Sequence, residues 1–365
     1  MLRKFVVLAA LSLAVAGWTT AAKPNASPTV TIMTQNMDDG TDQTYIIAAL
    51  TGAIPDFDVP TAVDLTFAEL QASNFQGRAA LMAAQIAERK PELVALQEAA
   101  LWRFQPAVGP EVVLYDNIDL LVSALRAAGV PYDVVAVNRL TDLAAPGGQI
   151  GGALRFTDRN AVLVRSDLRP PRFHLSNVHA RTFDAALPFA GFTITAGWIS
   201  VDVHRGNQRF RFVTTHLESP IPGEGRDASI AVQMAQAQEL IHALRNLTIP
   251  VVICGDFNSD ALHRGFVDDT PTVDLFEPAG YTETWSATTH PSGDPDGRTW
   301  PFFLEDQFPP SPFFVPFSPV ERIDLFFSKG MQAISSDLVV APAPPDPTAP
   351  PFGSDHAGVI AVFQP

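Results

Sequence analysis

VVICGDFNSD, residues 251–260, sets the reading of this chain. Val251 to Cys254 is a short apolar, β-branched-rich run, and Asp256 and Asn258 form a polar tip behind it. Buried strands look like that, and residues at their ends can converge on one pocket. The same design recurs to either side, in TIMTQNM (31–37) with Asn36, LVALQE (93–98) with Glu98 and FVTTHLES (212–219) with His216. A fifth group, ERIDLFF (321–327) followed by SDH (354–356), adds Asp324, Asp355 and His356 without the same pattern. Hard oxygen donors suit Mg²⁺ or Mn²⁺, and the lack of thiolate pairs argues against a zinc or iron–sulfur site. Carboxylates, an amide and two imidazoles around a hard cation are what phosphate-ester hydrolysis needs.

Between these segments the chain alternates strand-like and helix-like patterns. Residues 29–36 read as a strand, and 38–75 as a Pro-interrupted segment of mixed character. Gln76 to Arg89 is predicted helical, because Ala79, Met82, Ala83 and Ile86 keep a three-four spacing. Pro91 stops it and Leu93 to Leu96 is a short buried strand. A helix over Ile118–Ala128 and a strand over Tyr132–Val137 repeat the unit. Further strands are expected at Asn160–Val164, Phe192–Val203 and Gln208–Thr215, the last two joined by an Arg205-Gly206-Asn207 hairpin. Ser229 to Arg245 is the clearest helix, with Ile230, Met234, Ala237, Ile241 and Leu244 on one face. Gly147-Gly148 and Gly151-Gly152 suggest a flexible loop, and residues 301–320 and 341–351 are crowded with Pro.

The first residues have the order of an export signal. Arg3 and Lys4 precede an apolar run from Phe5 to Gly17, and Thr20-Ala21-Ala22 offers small residues for cleavage after Ala22. The run is too short to span a bilayer comfortably, and no Cys near the cleavage point suggests a lipid anchor. The expectation is a signal peptide over 1–22, one catalytic domain over 23–365, a secreted or periplasmic location and a monomer. Cleavage removes two cations and no acids, taking the formal charge from −15 to −17. So acidic a chain offers no broad footprint for a polyanion, although a metal ion and a few arginines can invert the field locally. The single cysteine, Cys254, cannot close an internal disulfide and reads as a small buried hydrophobe.

Taken in order, the five segments resemble the endonuclease/exonuclease/phosphatase superfamily, of pancreatic deoxyribonuclease-like fold, from about Thr29 to Val362. The resemblance implies a four-layer α/β sandwich, two packed mixed β-sheets flanked by helices. It implies that Asn36 and Glu98 hold the metal, Mg²⁺ or Mn²⁺, with Asp355 a further ligand, direct or through water. Asp256 and Asn258 would contact the attacking water and the phosphate, Asp324 would orient His356, and His216 would be a second imidazole facing the phosphate. The physical reading divides the work in the same way. The amide oxygen of Asn36 is a neutral acceptor that leaves a cation its charge. An imidazole fixed by a carboxylate has one tautomer and a raised pKa. Each residue also has a local reading: Asn36 in a turn, Glu98 heading a helix, Asp256 and Asn258 in an Asx turn, His216 in the core, Asp355 as an N-cap.

Substrate must be read from the rim, because this fold hosts many phosphoesterases. Arg155 and Arg159 are the cationic candidates for a phosphate contact, which inclines the reading to a nucleic-acid phosphodiester. The aromatic run with Phe302, Phe303, Phe308, Phe313, Phe314 and Phe317 is read first as a cover over the sheet and second as a lipid contact. The alternatives are therefore a sphingomyelinase- or phospholipase C-like enzyme acting at a phospholipid headgroup, a phosphomonoesterase, or a binding module that kept the fold without the chemistry. His174, His179, His204, His242, His263 and His290 are left to surface or loops, His290 being the one whose loop reaches nearest the site in this reading.

Overall fold

A computed structural model describes residues 29–364, apart from 42, 222, 292–293, 305–313 and 344–349. The expected leader, Phe308, Phe313 and most of the second Pro-rich loop lie outside the described residues. In chain order the elements begin with β1 (Val30–Asn36), α1 (Thr44–Thr51), α2 (Val59–Ala72), α3 (Phe75–Arg89), β2 (Leu93–Gln97), β3 (Leu101–Pro106) and β4 (Val112–Asp116). Then come α4 (Asn117–Ala127), β5 (Tyr132–Pro146), β6 (Gly152–Arg165), β7 (Phe173–Thr182), β8 (Leu187–Phe189), β9 (Phe192–Ile194), β10 (Gly197–Arg205) and β11 (Gln208–His216). The chain ends with α5 (Arg226–Leu244), β12 (Val251–Asp256), β13 (Thr282–Glu283), β14 (Phe303–Leu304), β15 (Val315–Pro316), β16 (Asp324–Lys329), β17 (Gln332–Val339) and β18 (Gly358–Gln364).

Two large mixed sheets result. One runs β17-β18-β1-β2-β6-β3-β4, with β5 on the free side of β6; the other runs β13-β16-β12-β11-β10-β7. Their inner faces meet in a core where Ile32, Leu93, Ala95 and Val162 pack against Val201, Phe212, Val252 and Phe326. On the outer face of the first sheet, Met82 and Ile86 of α3 and Ile118, Leu121 and Leu125 of α4 cover Met33, Val94 and Leu96. On the outer face of the second, Ala237, Leu240 and Leu244 of α5 cover Val213, Val251 and Ile253. This is the expected four-layer sandwich, each layer hidden by the apolar face of the next.

Several local expectations change. The segment read as Pro-interrupted contains α1 and α2, and Pro60 stands in the first turn of α2, where its missing N–H costs nothing. The strand expected over 192–203 is broken between β9 and β10, where the N–H of Thr195 bonds the hydroxyl of Thr141 instead of continuing a ladder. The Gly147–Gly152 loop is the turn between β5 and β6, tied down by Asp64 of α2, which accepts from the N–H groups of Gln149 and Ile150. Phe303 and Phe314 are buried and meet edge to face, consistent with a cover, while Phe317 is exposed. Cys254 is fully buried between the sheets, and burial pushes its thiol pKa up. Among the described residues no helix is long and apolar enough to cross a membrane.

Candidate active site

Strand direction gathers the polar tips. β1 is parallel to β2, with Asn36 opposite Gln97, and β11 is parallel to β12, with His216 opposite Asp256. β16 runs antiparallel to β12 and so begins where β12 ends, with Asp324 opposite Asp256. β18 runs antiparallel to β1, which brings the preceding Asp355 and His356 to the same rim. Glu98 follows β2 at a break: β2 and β3 lie end to end along β6, Leu96 opposite Ala161 and Leu101 opposite Thr157. At that break Glu98 has φ +48° and its carbonyl accepts from the N–H of Ala100 at 2.7 Å, a tight kink in place of a helix start. Asn258 likewise has φ +46°. Left-handed backbone at non-glycine residues is costly and clusters at working sites. Gly255 permits the close approach of β12 to β11, because a Cβ there would lie 1.8 Å from the carbonyl oxygen of Thr215.

All eight residues singled out in the sequence reach one pocket or its wall. Asn36 Nδ2 donates to Glu98 Oε1 at 2.7 Å and to Asp256 Oδ2 at 2.9 Å, bridging the two carboxylates. Its amide oxygen accepts from the N–H of Asp38 at 2.9 Å, so the local turn and the site contact coexist. The Asx turn at Asp256 coexists with the site too: Oδ1 accepts from the N–H of Asn258 at 2.9 Å and leaves Oδ2 to the pocket. His356 Nδ1 is 2.8 Å from Asp324 Oδ2, and its Nε2 faces Asp256 Oδ2 and Asp355 Oδ1, each at 3.9 Å. His216 Nε2 is 3.7 Å from Asp256 Oδ2 and 3.0 Å from Asn258 Nδ2. Asp355 accepts from the indole N–H of Trp300 at 2.8 Å.

Burial alone would push the His356 pKa down; Asp324, Asp355 and Asp256 outweigh it and hold the imidazole well above its usual range. Burial also works against protonated His216, and Asp256, Glu98 and Asp158 reverse it. Burial raises Asp256, with Asp324 adding to the rise and both imidazoles opposing it. Asp355 is pushed up to about 8, mainly by burial. The rim is thus a compact set of carboxyls and imidazoles whose ionisation states depend on one another, an arrangement common at sites of proton transfer.

One donor atom from each of Glu98, Asp256 and His356 lies within 4.8 Å of the others. Two carboxylates at that separation fit a hard divalent cation. The imidazole fits less well as a ligand, because its carboxylate neighbours favour the protonated ring. Asn36 stands between the two carboxylates with Nδ2 toward both, and a half-turn of its amide would offer a cation there the oxygen expected from sequence.

The sequence reading missed several supports. Asp158, one strand away on β6, has a pKa raised to about 6 by burial and, with His216, shares the field of Glu98. Burial raises Glu218 to about 7. The buried face of α5 is polar where it meets the site: Gln233 donates to the carbonyls of Glu218 and Asn258, and Gln236 accepts from the N–H of Glu218. Glutamines three apart on an otherwise apolar helical face were the available signal. Arg78 of α3, also buried, bonds Asp38, the carbonyl of Met37 and the carbonyl of Gly353, tying the loop after β1 to the loop before β18.

The arginines assigned to phosphate are engaged elsewhere. Arg159 is buried, paired with Asp116 at 2.7 Å and bonded to the carbonyls of Ala99 and Ala100. Arg155 lies along Asp142 and Glu111 at the protein surface. His290 stacks on Trp285 with ring centroids 4.1 Å apart, and His174 stacks on His204, all outside the pocket.

With fold and geometry in place, the comparisons are specific. The model of the Endonuclease/Exonuclease/phosphatase family matches residues 67–356, and the chain belongs to that family. Solved structures with the same fold include a family protein from Leptotrichia buccalis (15% identity, 91% of this chain and 98% of that one, TM-score 0.52). D. rerio TDP2 complexed with a single-strand DNA product matches at 14% identity over 92% and 99% of the two chains, TM-score 0.53. A mannosyl-6-phosphatase of Bacteroides thetaiotaomicron matches at 13% over 92% and 99%, TM-score 0.52. No curated protein matches. The protein has the phosphoesterase fold of this family, whose members are generally hydrolases of phosphoesters and use divalent metals.

Proposed function

We propose that the protein is an exported phosphodiesterase that works with Mg²⁺ or Mn²⁺. The observation that carries the reading is His356, fixed at Nδ1 by Asp324 and turned at Nε2 toward the Asn36–Glu98–Asp256 cluster. Glu98 would hold the cation, with Asn36 and Asp355 beside it; when bound, the cation offsets the negative charge of the phosphoryl oxygens. Asn36 keeps the Glu98 and Asp256 carboxylates together by donating to both. Asp256 Oδ2 is the acceptor for a proton from attacking water. Protonated His356 would give its Nε2 proton to the ester oxygen that departs as the P–O bond breaks, and Asp324 holds the ring in that orientation through Nδ1. Asn258 Nδ2 donates to the carbonyl of Leu217 and lies 3.0 Å from His216 Nε2, and its second N–H is the neutral donor at the far side. The preference for nucleic acid loses its support, because Arg155 and Arg159 are both paired with carboxylates. Export rests on the order of charge, apolar run and small residues in 1–22.

The test is a panel of plasmid DNA, RNA, sphingomyelin, phosphatidylcholine, inositol phosphates and an aryl phosphodiester with each metal. Turnover of a diester, abolished by chelator, supports the reading. Turnover of monoesters alone, or of nothing in the panel, overturns it.

A further inference from the structure

α1 and α2 fill the long stretch between β1 and β2 and pack against the arm made by β3, β5 and β6. Inside that contact is a cavity of about 200 Å³, walled by Val63 of α2, Trp102, Leu143, Leu154, Phe156 and, from β9, Phe192. The cavity opens to the surface, and its mostly apolar lining lacks the contacts that a close-packed interior would give it. One polar atom is left over in its wall. Thr66 is 2% exposed and its hydroxyl has no hydrogen-bond partner among the described residues, a condition that usually signals a missing ligand or water.

The cavity adjoins the acidic pocket. β6 pairs with β2 only as far as Ala161 and then continues past the end of β2, where Phe156 and Leu154 face Trp102 and Phe104 of β3. The arm therefore projects beyond the end of β2, after which Glu98 stands. Two cavity residues touch the loop that holds Glu98. Trp102 Nε1 donates to the carbonyl of Asp39 at 2.7 Å, and Gln43 Nε2 donates to its carboxylate at 2.9 Å. The N–H of Asp39 in turn donates to Glu98 Oε2 at 3.1 Å.

We propose that this cavity is the subsite for an apolar substituent of the phosphoester, an aryl or short alkyl group, with the Thr66 hydroxyl bonding one polar atom of that group. The proposal rests on the phosphodiesterase reading and names the kind of ester it takes. An apolar cavity of about 150 Å³ is enough to hold benzene, so this one accepts a six-carbon ring or a chain of similar bulk.

The experiment has two arms. In the first, the full-length enzyme with Mg²⁺ or Mn²⁺ is given methyl and hexyl 4-nitrophenyl phosphate, which share a leaving group and differ only in the apolar substituent. A buried methylene is worth roughly fourfold, so hexyl is expected to exceed methyl in kcat/KM by about 30-fold or more. Ala145→Phe, which fills the void from β5, is expected to bring that ratio below about threefold and leave the methyl ester's kcat unchanged. Leu143→Trp serves the same purpose if Ala145→Phe does not fold. In the second arm, phenol and toluene are titrated into the same protein and followed by the methyl resonances of Leu143, Leu154 and Val63. Phenol is expected to bind up to about tenfold tighter than toluene, and Thr66→Val to erase that difference. Equal rates for the two esters, or no probe-induced shifts at these methyls, overturns the subsite. If neither ester is cleaved while phenol still shifts these methyls, the phosphodiesterase reading fails and the cavity stands as a ligand site.

Discussion

Asp324→Asn isolates the pair that the proposed mechanism depends on. Asp324 is fully buried, and its Oδ2 lies 2.8 Å from His356 Nδ1. Asparagine preserves the shape but removes the charge. It leaves a buried imidazolium with an uncharged partner, or turns an N–H toward Nδ1 and selects the other tautomer. A hydrogen bond to a charged group contributes about 1.5–3 kcal/mol, and an uncompensated buried charge raises that to about 3–5 kcal/mol. At about 1.4 kcal/mol per decade, a loss of about 2–4 kcal/mol in the transition state lowers kcat roughly 30- to 1,000-fold. The assay is steady-state hydrolysis of an aryl phosphodiester at saturating Mg²⁺, with circular dichroism and melting temperature as controls on the fold. KM is expected to stay within about threefold, since His356 is assigned to the transition state and not to ground-state binding. A folded Asp324→Asn enzyme whose kcat is within threefold of the original would refute the assignment of His356 as proton donor.

The other expectations concern neighbouring parts of the structure. Glu98→Gln should weaken Mn²⁺ binding at least tenfold by titration and recover activity at high metal, whereas Asp256→Asn should not recover; the opposite pattern exchanges ligand and base. Arg159→Ala strands Asp116 and two buried carbonyls, so it should lower stability by about 3–5 kcal/mol in denaturant titration. The salt dependence of catalysis should not change; a marked loss of that dependence would put Arg159 back in contact with phosphate. Glu321 is buried with Oε2 unpartnered, and burial raises its pKa from 4.5 to about 7. The folded state then holds that proton more tightly than the unfolded state, so stability falls as pH rises between about 4.5 and about 7. Glu321→Gln should therefore raise stability at pH 8 by about 1–3 kcal/mol and make little difference at pH 4; an equal effect at both pH values would show that the carboxyl does not titrate there.

Much of the site was legible because buried strands have a simple signature. Val251–Cys254 and Leu93–Leu96 are apolar throughout, so the first acid after each must sit at a strand end, and parallel pairing makes such ends coincide. The joint order of four such tips and of the segments ERIDLFF and SDH located Asn36, Glu98, His216, Asp256, Asn258, Asp324, Asp355 and His356 together. The direction of an amide is not in that signature; the structure places Asn36 between Glu98 and Asp256 with Nδ2 toward both. α2 was hidden by its own start signal, since Asp58 as cap and Pro60 in the first turn look like loop residues when the helix behind them is not strongly amphipathic. Arg159 was misread because an arginine beside a strand carries no mark of which way it points; only β6 pairing shows it turned inward to Asp116. Asp158 and Trp300 are single residues whose part in the pocket comes entirely from the folding of distant segments onto it.

The acids at this rim are assigned to hold a cation for phosphodiester hydrolysis. The most direct measurement follows 4-nitrophenol release from an aryl phosphodiester by the purified enzyme, first after chelator, then with Mg²⁺ or Mn²⁺ restored, and finally in Asp256→Asn. The expected result is turnover that disappears with chelator, returns with metal and stays absent in the variant. Undiminished turnover in chelator, or in a folded Asp256→Asn enzyme, would contradict the account.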